Sequence, residues 1–367
     1  MATNQDVINQ NMALRNALLA TSPRMSKKIG TITETSGIAG KTSRIKLFNV
    51  GVITKLRLVV TINVTIGTAT ATLSPKAPYN ALANIKLTDF EGTDRVNVSG
   101  YQLWVLQSIR ERTPAYFNNE GTTKNNTMPV TPTAVGTADM KFYVEIPLAY
   151  DSERDLRGAI LAQTGLGDMF LQVTYNSAFY TNGSDDAVYN GGGTTTVTVN
   201  SVSIDVYQDF LQPQSIGGQI PLPMQDLMTV YELLGNYKIT DNMSNGQERL
   251  FNYPNARTVI GFYLNWLNNG AMSDAINNFR VIANGNNILM ENSLDSQQMV
   301  QRMYVNSDLP KGTFFQLHRS RPIETVIYGN VQWGTTFSAA PAGTFFMEQM
   351  LESFYTKGAT LPGLSNQ

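Results

Sequence analysis

Gly40-Lys41-Thr42 is the first place where this sequence could hold a phosphate. A phosphate loop needs a glycine five residues before its Gly-Lys pair, where this chain has Thr35, and then a helix whose amides face the anion. Arg44-Ile45-Lys46-Leu47 instead alternates like a strand, so a hairpin loop is expected. His318 is the only histidine and cysteine is absent, so an imidazole metal site or a Ser-His-Asp triad lacks its converging partners. Flanked by Arg319 and Arg321, His318 is expected at a solvated or interface position. Asp151, Glu153 and Asp155 are the densest carboxylates and could serve general acid–base chemistry. Their place ahead of Leu156, Ile160 and Leu161 instead reads as a helix start, where anions complement the dipole. Asp185-Asp186 offers oxygen ligands for calcium, but the EF-hand spacing is missing and Gly191-Gly192-Gly193 follows. Trp104, Trp266 and Trp333 are read as core and interface, because basic residues are not interleaved with them. No catalytic residue, cofactor or metal is expected.

The elements that would position any such groups are mainly strands. The 367 residues suggest about two domains at roughly 150 residues each. With 42% hydrophobic and 15% charged residues, the chain can bury large cores without disulfides. Folding in a reducing cytoplasm is compatible with zero cysteine. A formal net charge of −1 argues against a coat that binds nucleic acid directly. The balance is uneven, however. Arg15, Arg24, Lys27, Lys28, Lys41, Arg44, Lys46, Lys55 and Arg57 face only Asp6 and Glu34 before residue 58. That end could meet an anionic partner. No secretory signal and no apolar run of spanning length is visible, so a soluble protein is expected.

Val7, Ile8, Met12, Leu14, Leu18 and Leu19 recur at helical spacing, predicting a short amphipathic helix within residues 5–22 that is followed by a turn at Ser22-Pro23, inside an N-terminal arm over residues 1–28. From Ile29 the period becomes two. Leu56, Leu58, Val60, Ile62, Val64 and Ile66 form the apolar side of a long strand. Val197 and Val199 begin another, which Val202, Ile204 and Val206 continue in the opposite phase, so a bulge is expected at Asn200-Ser201. Tyr101, Trp104, Val105 and Ile109 predict a helix. Pro213, Gly217, Gly218 and Pro221 mark a linker over 213–223. The domains read as 29–212 and 224–356, with a tail over 357–367. Phe142-Tyr143-Val144 and Met303-Tyr304-Val305 give only a faint internal echo.

Asp308 to Trp333 is the most distinctive stretch. Thr313–Leu317 and Ile323–Tyr328 read as paired strands between turns at Pro310-Lys311-Gly312, Arg321-Pro322 and Gly329-Asn330. Its Pro-Lys-Gly, Phe314-Phe315, Arg319-x-x-Pro322-Ile323 and Tyr328-Gly329-Asn330-Val331 series resembles the major capsid proteins of tectivirus-type phages, tailless icosahedral viruses with an internal membrane. Further segments resemble the family in order: Ala13-Leu14-Arg15-Asn16; Ser99-Gly100-Tyr101; Ile146 to Tyr150 with Asp155-Leu156 and Gly158 to Ala162; and Val206-Tyr207-Gln208 through Tyr231. The intervening loops do not match.

The resemblance implies an all-β fold of two tandem jelly-roll sandwiches with short helical insertions and an N-terminal helical arm. It implies a homotrimeric, pseudo-hexagonal capsomer that tiles a shell around a membrane-enclosed genome, made in the host cytoplasm. The implied partners are further copies of itself, minor capsid or vertex proteins and the internal viral membrane, with no direct genome binding. Leu14, Arg15, Leu18, Arg24, Lys27 and Lys28 are the candidate residues of an arm that meets the membrane or neighbouring capsomers. A jelly-roll spike or carbohydrate-binding module is the alternative, and a β-sandwich glycosidase would need two buried carboxylates facing one cleft.

Overall fold

The computed structural model describes residues 4–111, 129–162, 167–191, 193–235, 239–241, 248–305, 309–338 and 345–356. Strict alternation makes Val52–Ile66 a long strand, and Leu56, Leu58, Val60, Ile62, Val64 and Ile66 are all buried on its inward face. It pairs with Val197–Leu211 on one side and Gly136–Pro147 on the other. The phase slip in Val197–Leu211 is absorbed as expected. Val199 pairs with Val64 and Ser201 with Asn63, leaving Asn200 as the extra residue. The Asn200 amide then donates to Asn63 Oδ1 and Thr65 Oγ1, each at 2.8 Å. Val202 is fully buried and Val199 packs half-buried against the same core.

The first sandwich uses eight principal strands: Arg24–Glu34, Thr42–Lys46, Val52–Ile66, Leu82–Thr88, Asp94–Val98, Gly136–Pro147, Phe170–Tyr175 and Val197–Leu211. One sheet orders them first, eighth, third, sixth; the other fifth, fourth, seventh, second. The second sandwich uses Thr229–Gly235, Glu248–Asn252, Thr258–Asn268, Ile276–Ala283, Asn287–Ser293, Thr313–Leu317, Val331–Phe337 and Phe345–Thr356. Its two sheets repeat the same orders. That repeated order is the jelly roll. Topology therefore repeats where the faint sequence echo does not: Phe142 lies in a strand, whereas Met303 and Tyr304 close a helix.

The sandwiches share a sheet. Thr229–Gly235 pairs in parallel with Asp94–Val98, through Leu233 opposite Val96 and Leu234 opposite Asn97. One hydrogen-bonded sheet thus runs from Thr42–Lys46 at one end of the molecule to Thr313–Leu317 at the other. The strands Thr258–Asn268 and Phe345–Thr356 lie inside it with both faces covered. Phe262, Leu264, Trp266, Met347 and Leu351 enter the second sandwich's core, while Ile260, Tyr263, Met350 and Phe354 join the first cluster.

Several expectations change. The first strand begins at Arg24, so the expected arm boundary at residue 28 falls inside it. Gly40-Lys41 connects the two sheets of the first sandwich rather than turning a hairpin: Arg24–Glu34 pairs with Val197–Leu211, and Thr42–Lys46 with Phe170–Tyr175. Asp151 to Asp155 closes a turn instead of starting a helix. There the Asp151 and Asp155 carboxylates accept from the Glu153 and Arg157 amides, a local bonding pattern that competes with helix. Thr313–Leu317 and Ile323–Glu324 do not pair with each other; both pair with Thr258–Asn268. Thr325–Tyr328 turns helical because the buried Thr325 hydroxyl is held by the Pro254 and Arg257 carbonyls. Gly312 explains the Pro-Lys-Gly turn: at φ +75°, a Cβ there would meet Trp266 O at 2.6 Å and Ser273 N at 2.8 Å. The helix predicted from Tyr101 to Ile109 is present as Gly100–Glu111. The tail over 357–367 lies outside the described residues.

Candidate functional site

The chemistry of this chain gathers at the seam between the sandwiches and at the base beneath it. Strand alternation places Glu348, Met350, Glu352 and Phe354 on the face of Phe345–Thr356 that looks toward the first sandwich. Glu352 is fully buried. It accepts from Tyr231 OH at 2.7 Å, Tyr263 OH at 2.6 Å and Arg110 Nη2 at 3.0 Å, and Arg319 Nη2 stands 3.9 Å away. Arg110 is on the helix Gly100–Glu111, so a cation of the first sandwich neutralises a carboxylate of the second. Burial alone would push the Glu352 pKa up, but the two guanidiniums and two phenols outweigh it and the net shift is down. Glu348 is matched in the same way by the buried Lys76, with Nζ to Oε2 at 3.0 Å and Asp186 Oδ1 at 3.2 Å. Tyr101 OH and Thr313 Oγ1 add a hydrogen bond of 2.7 Å across the seam. Buried charges are therefore compensated across the boundary, which fixes the two sandwiches in one relation.

At the base, the helix Asn4–Thr21 docks on its own chain. Leu18 is fully buried among Val52, Leu156, Leu211 and Leu227, and Leu19 packs beside it. Asn11 donates to Asp226 Oδ1 at 2.8 Å and accepts from the Gln225 amide at 3.1 Å. Arg15 lies 3.3 Å from Asp226 and 3.6 Å from Asp155. Of the expected arm residues, Arg15 and Leu18 thus face the protein and Leu14 is half-buried. Val7, Ile8 and Met12 face outward. Arg24, Lys27 and Lys28 sit on the first strand of the sandwich.

The basic end is mostly neutralised in place. Arg24 pairs with Glu153, Lys28 with Asp205 at 2.8 Å, Lys41 with Glu34, Lys55 with Glu145 at 3.0 Å and Arg57 with Asp209 at 2.9 Å. Hydrogen bonds from Arg24 and from Lys28 hold the Glu153 and Asp205 carboxyls below their usual range. Lys27 and Arg44 instead lie over the rings of Phe48 and Phe170, at 4.7 and 4.8 Å. The charge run visible in sequence therefore dissolves into pairs: Glu34 is local, Glu145, Asp205 and Asp209 come from distant strands, and Glu153 from the Asp151–Asp155 turn.

His318 is buried rather than solvated, and its Nε2 has no hydrogen-bond partner among the described residues. Burial pushes its pKa down to about 4. The sign follows from linkage: the imidazole is neutral in both states above pH 6.5, and below that the unfolded chain takes the proton first. Stability should fall as pH drops from 6.5 to 4, by roughly 3 kcal/mol from this group. Denaturant titrations of wild type and His318→Gln at pH 7 and pH 4 read the difference. A gap between the two proteins that does not change with pH rejects this assignment.

Asp185 and Asp186 are occupied by protein donors. Asp185 accepts from the Met272 amide at 2.7 Å, and Asp186 faces Lys76. No cluster of three or more His, Asp or Glu side chains suited to a metal occurs among the described residues. Sequence reasoning missed Lys76, Asp226, Glu348 and Glu352. The available signal was two glutamates spaced four apart, on one face of the otherwise apolar strand around Met347 and Leu351.

Residues 2–214 match the family described as P3 major capsid protein N-terminal. Over 304 residues, 77% of this chain and 75% of the relative, the sequence is 26% identical to major capsid protein P3 of Enterobacteria phage PRD1. Among solved structures, the fold is similar to a chain of Sulfolobus Turreted Icosahedral Virus, with TM-score 0.66, 13% identity and 91% of each chain covered. It is also similar to the major capsid protein P2 of bacteriophage PM2, with TM-score 0.51 and 9% identity over 92% of this chain and 99% of that one.

Proposed function

The chain belongs to the P3 major capsid protein family, and we propose that it is the shell-forming subunit of a tailless icosahedral phage, acting as a homotrimer. The observation that carries this reading is the seam. Two jelly rolls of equal strand order are locked into one body by a shared sheet and buried charge pairs. Three such bodies around one axis present six similar sandwiches, an outline that can tile a hexagonal lattice with only threefold symmetry. A closed ring of this kind uses a heterologous interface, in which one face of a copy meets a different face of the next. The function is mechanical, because the rigid seam transmits load between two upright sandwiches.

The partners in this reading are neighbouring copies, minor capsid or vertex proteins at the shell's corners, and a membrane beneath the base. The outward side chains Val7, Ile8 and Met12, with exposed Met224 and Met228 nearby on the short helix Met224–Met228, supply an apolar surface there. Local pairing of the basic residues agrees with a shell that does not bind the genome directly. The absence of cysteine suits synthesis in the host cytoplasm.

Light scattering on the purified chain at neutral pH, without metal, nucleotide or reductant, should return three times the chain mass of 40.4 kDa. A monomer across micromolar concentrations would contradict the trimer. Electron microscopy of particles containing the chain would then test the hexagonal outline.

A further inference from the structure

We infer that the helix Leu294–Tyr304 is the face through which one copy meets the next in the ring, seated on the opposite end of the neighbouring copy's shared sheet. The inference rests on the trimer proposed above and names the two surfaces that close it. Thr313–Leu317 is the last strand at the second sandwich's end. Its outward carbonyls are capped by this helix: the buried Gln297 and Gln301 side chains donate to Phe315 O and Thr313 O. The sheet therefore does not extend by strand addition here. What the helix offers outward is a stripe at four-residue spacing, Asp295, Met299 and Met303. Met299 is 70% exposed and Met303 73%. Along the same edge, Val326 and Ile327 follow Ile323–Glu324, which pairs with the base end of Thr258–Asn268.

The other end of the sheet complements this. Thr42–Lys46 is its last strand, beside the edge strand Arg24–Glu34 of the outer sheet. There Met25 and Phe48 are exposed, and Lys27 and Arg44 lie over the Phe48 and Phe170 rings. Neither Lys27 nor Arg44 has a carboxylate partner among the described residues, although the other basic residues of these two strands do. Among the described residues away from the base and the 213–223 linker, the exposed large apolar side chains gather mainly at these two ends, Ile288 on the edge strand Asn287–Ser293 beside the helix included, with Val135 and Leu250 standing singly. Flexible methionines pack well on aromatic rings, and Asp295 supplies a carboxylate to an end where Lys27 and Arg44 have none. One copy offers each end once, so a ring in which end meets opposite end covers both in every subunit. A membrane or a minor protein would cover one end and leave the other bare.

The test uses the absence of cysteine. Within one chain the two ends are the outermost of eight strands, seven spacings or roughly 30–35 Å apart, too far for a disulfide. Two full-length double variants, Phe48→Cys with Met303→Cys and Met25→Cys with Met299→Cys, are oxidised and run on non-reducing gels. At least one should give covalent dimers and trimers, and the single variants should give no trimer. Met299→Glu with Met303→Glu should raise the trimer dissociation constant tenfold or more while the unfolding free energy of the dissociated subunit is unchanged, and Leu250→Glu, at the opposite edge of the sheet from Asn287–Ser293, should leave the trimer as it is. Asp295→Arg should weaken the trimer, and adding Arg44→Glu should restore it. If the wild type is trimeric but neither pair cross-links and the glutamate variant stays trimeric, the interface is elsewhere and the inference falls alone. A monomeric wild type removes the trimer reading and this inference together.

Discussion

Replacing Glu352 by glutamine is expected to lower the stability of the subunit by about 3–5 kcal/mol, as measured by chemical unfolding at pH 7. The substitution keeps the shape and volume of the side chain, so no cavity contributes. What changes is charge. Arg110 and Arg319 both converge on this carboxylate, and Tyr231 and Tyr263 donate to it. Without it, two guanidiniums remain in a largely closed site with no anion. Breaking a buried pair from one side is far more damaging than replacing both partners by apolar groups. Arg110→Met combined with Glu352→Leu should therefore lose much less than the sum of the single changes. Because Arg110 belongs to the first sandwich and Glu352 to the second, the single variant should also uncouple them. A single unfolding transition in the wild type should separate into two. The acid side follows the same logic: a carboxyl held below its usual pKa stabilises the fold above that pKa, and this contribution is lost as pH falls through the depressed value. A glutamine variant within 1 kcal/mol of wild type, with one transition, would mean that the seam is held by packing alone.

The seam also marks where sequence reading reached its limit. Strands with one face in a core were legible from period alone, as Val52–Ile66 was, and the bulge at Asn200 followed from a phase slip that only an extra residue can absorb. Jelly-roll topology came from the resemblance rather than from periodicity, since strand order is a property of long-range pairing. Thr258–Asn268 and Phe345–Thr356 are covered on both faces, so they carry no alternation to read. The buried glutamates of Phe345–Thr356 resemble ordinary surface charges until their partners are known, and those partners lie far off in sequence: Lys76 is 272 residues from Glu348 and Arg110 is 242 from Glu352. The basic N-terminal segment misled for the same reason. Most of its acids, Glu145, Asp205 and Asp209 on strands and Glu153 in a turn, become neighbours only after folding. His318 was placed outside because its neighbours in sequence are arginines, but just past the strand its amide still bonds to the Ile260 carbonyl at 2.8 Å and its ring is buried, while Arg319 stays half-buried.

Leu18→Ala should cost about 3 kcal/mol in chemical unfolding, whereas Met12→Glu should stay within about 0.5 kcal/mol of wild type. The two residues share one helix and separate its roles. Leu18 is fully buried against the base of the first sandwich, where the surrounding Val52, Leu156 and Leu211 cannot collapse into the space it would leave. Met12 is 45% exposed, with Val7 and Ile8 on the same outward side. Deleting residues 1–22 would also remove Asn11 and Arg15 from Asp226, whose carboxyl burial already pushes toward the neutral form. The truncated chain should therefore melt earlier as well as assemble poorly, and assembly defects in it would say little about lipid. Met12→Glu asks the assembly question cleanly. It leaves the docked face intact and places a charge on the surface proposed to meet a bilayer or a neighbouring capsomer. Trimers should form normally and shells around the vesicle should not close. Flotation of the variant with anionic vesicles then divides the two partners, since lost binding points to lipid and retained binding to a neighbouring copy. If Leu18→Ala is neutral, the helix is not docked as described and the arm is free to act as a whole. If Met12→Glu assembles like wild type, the outward face has no partner in the shell.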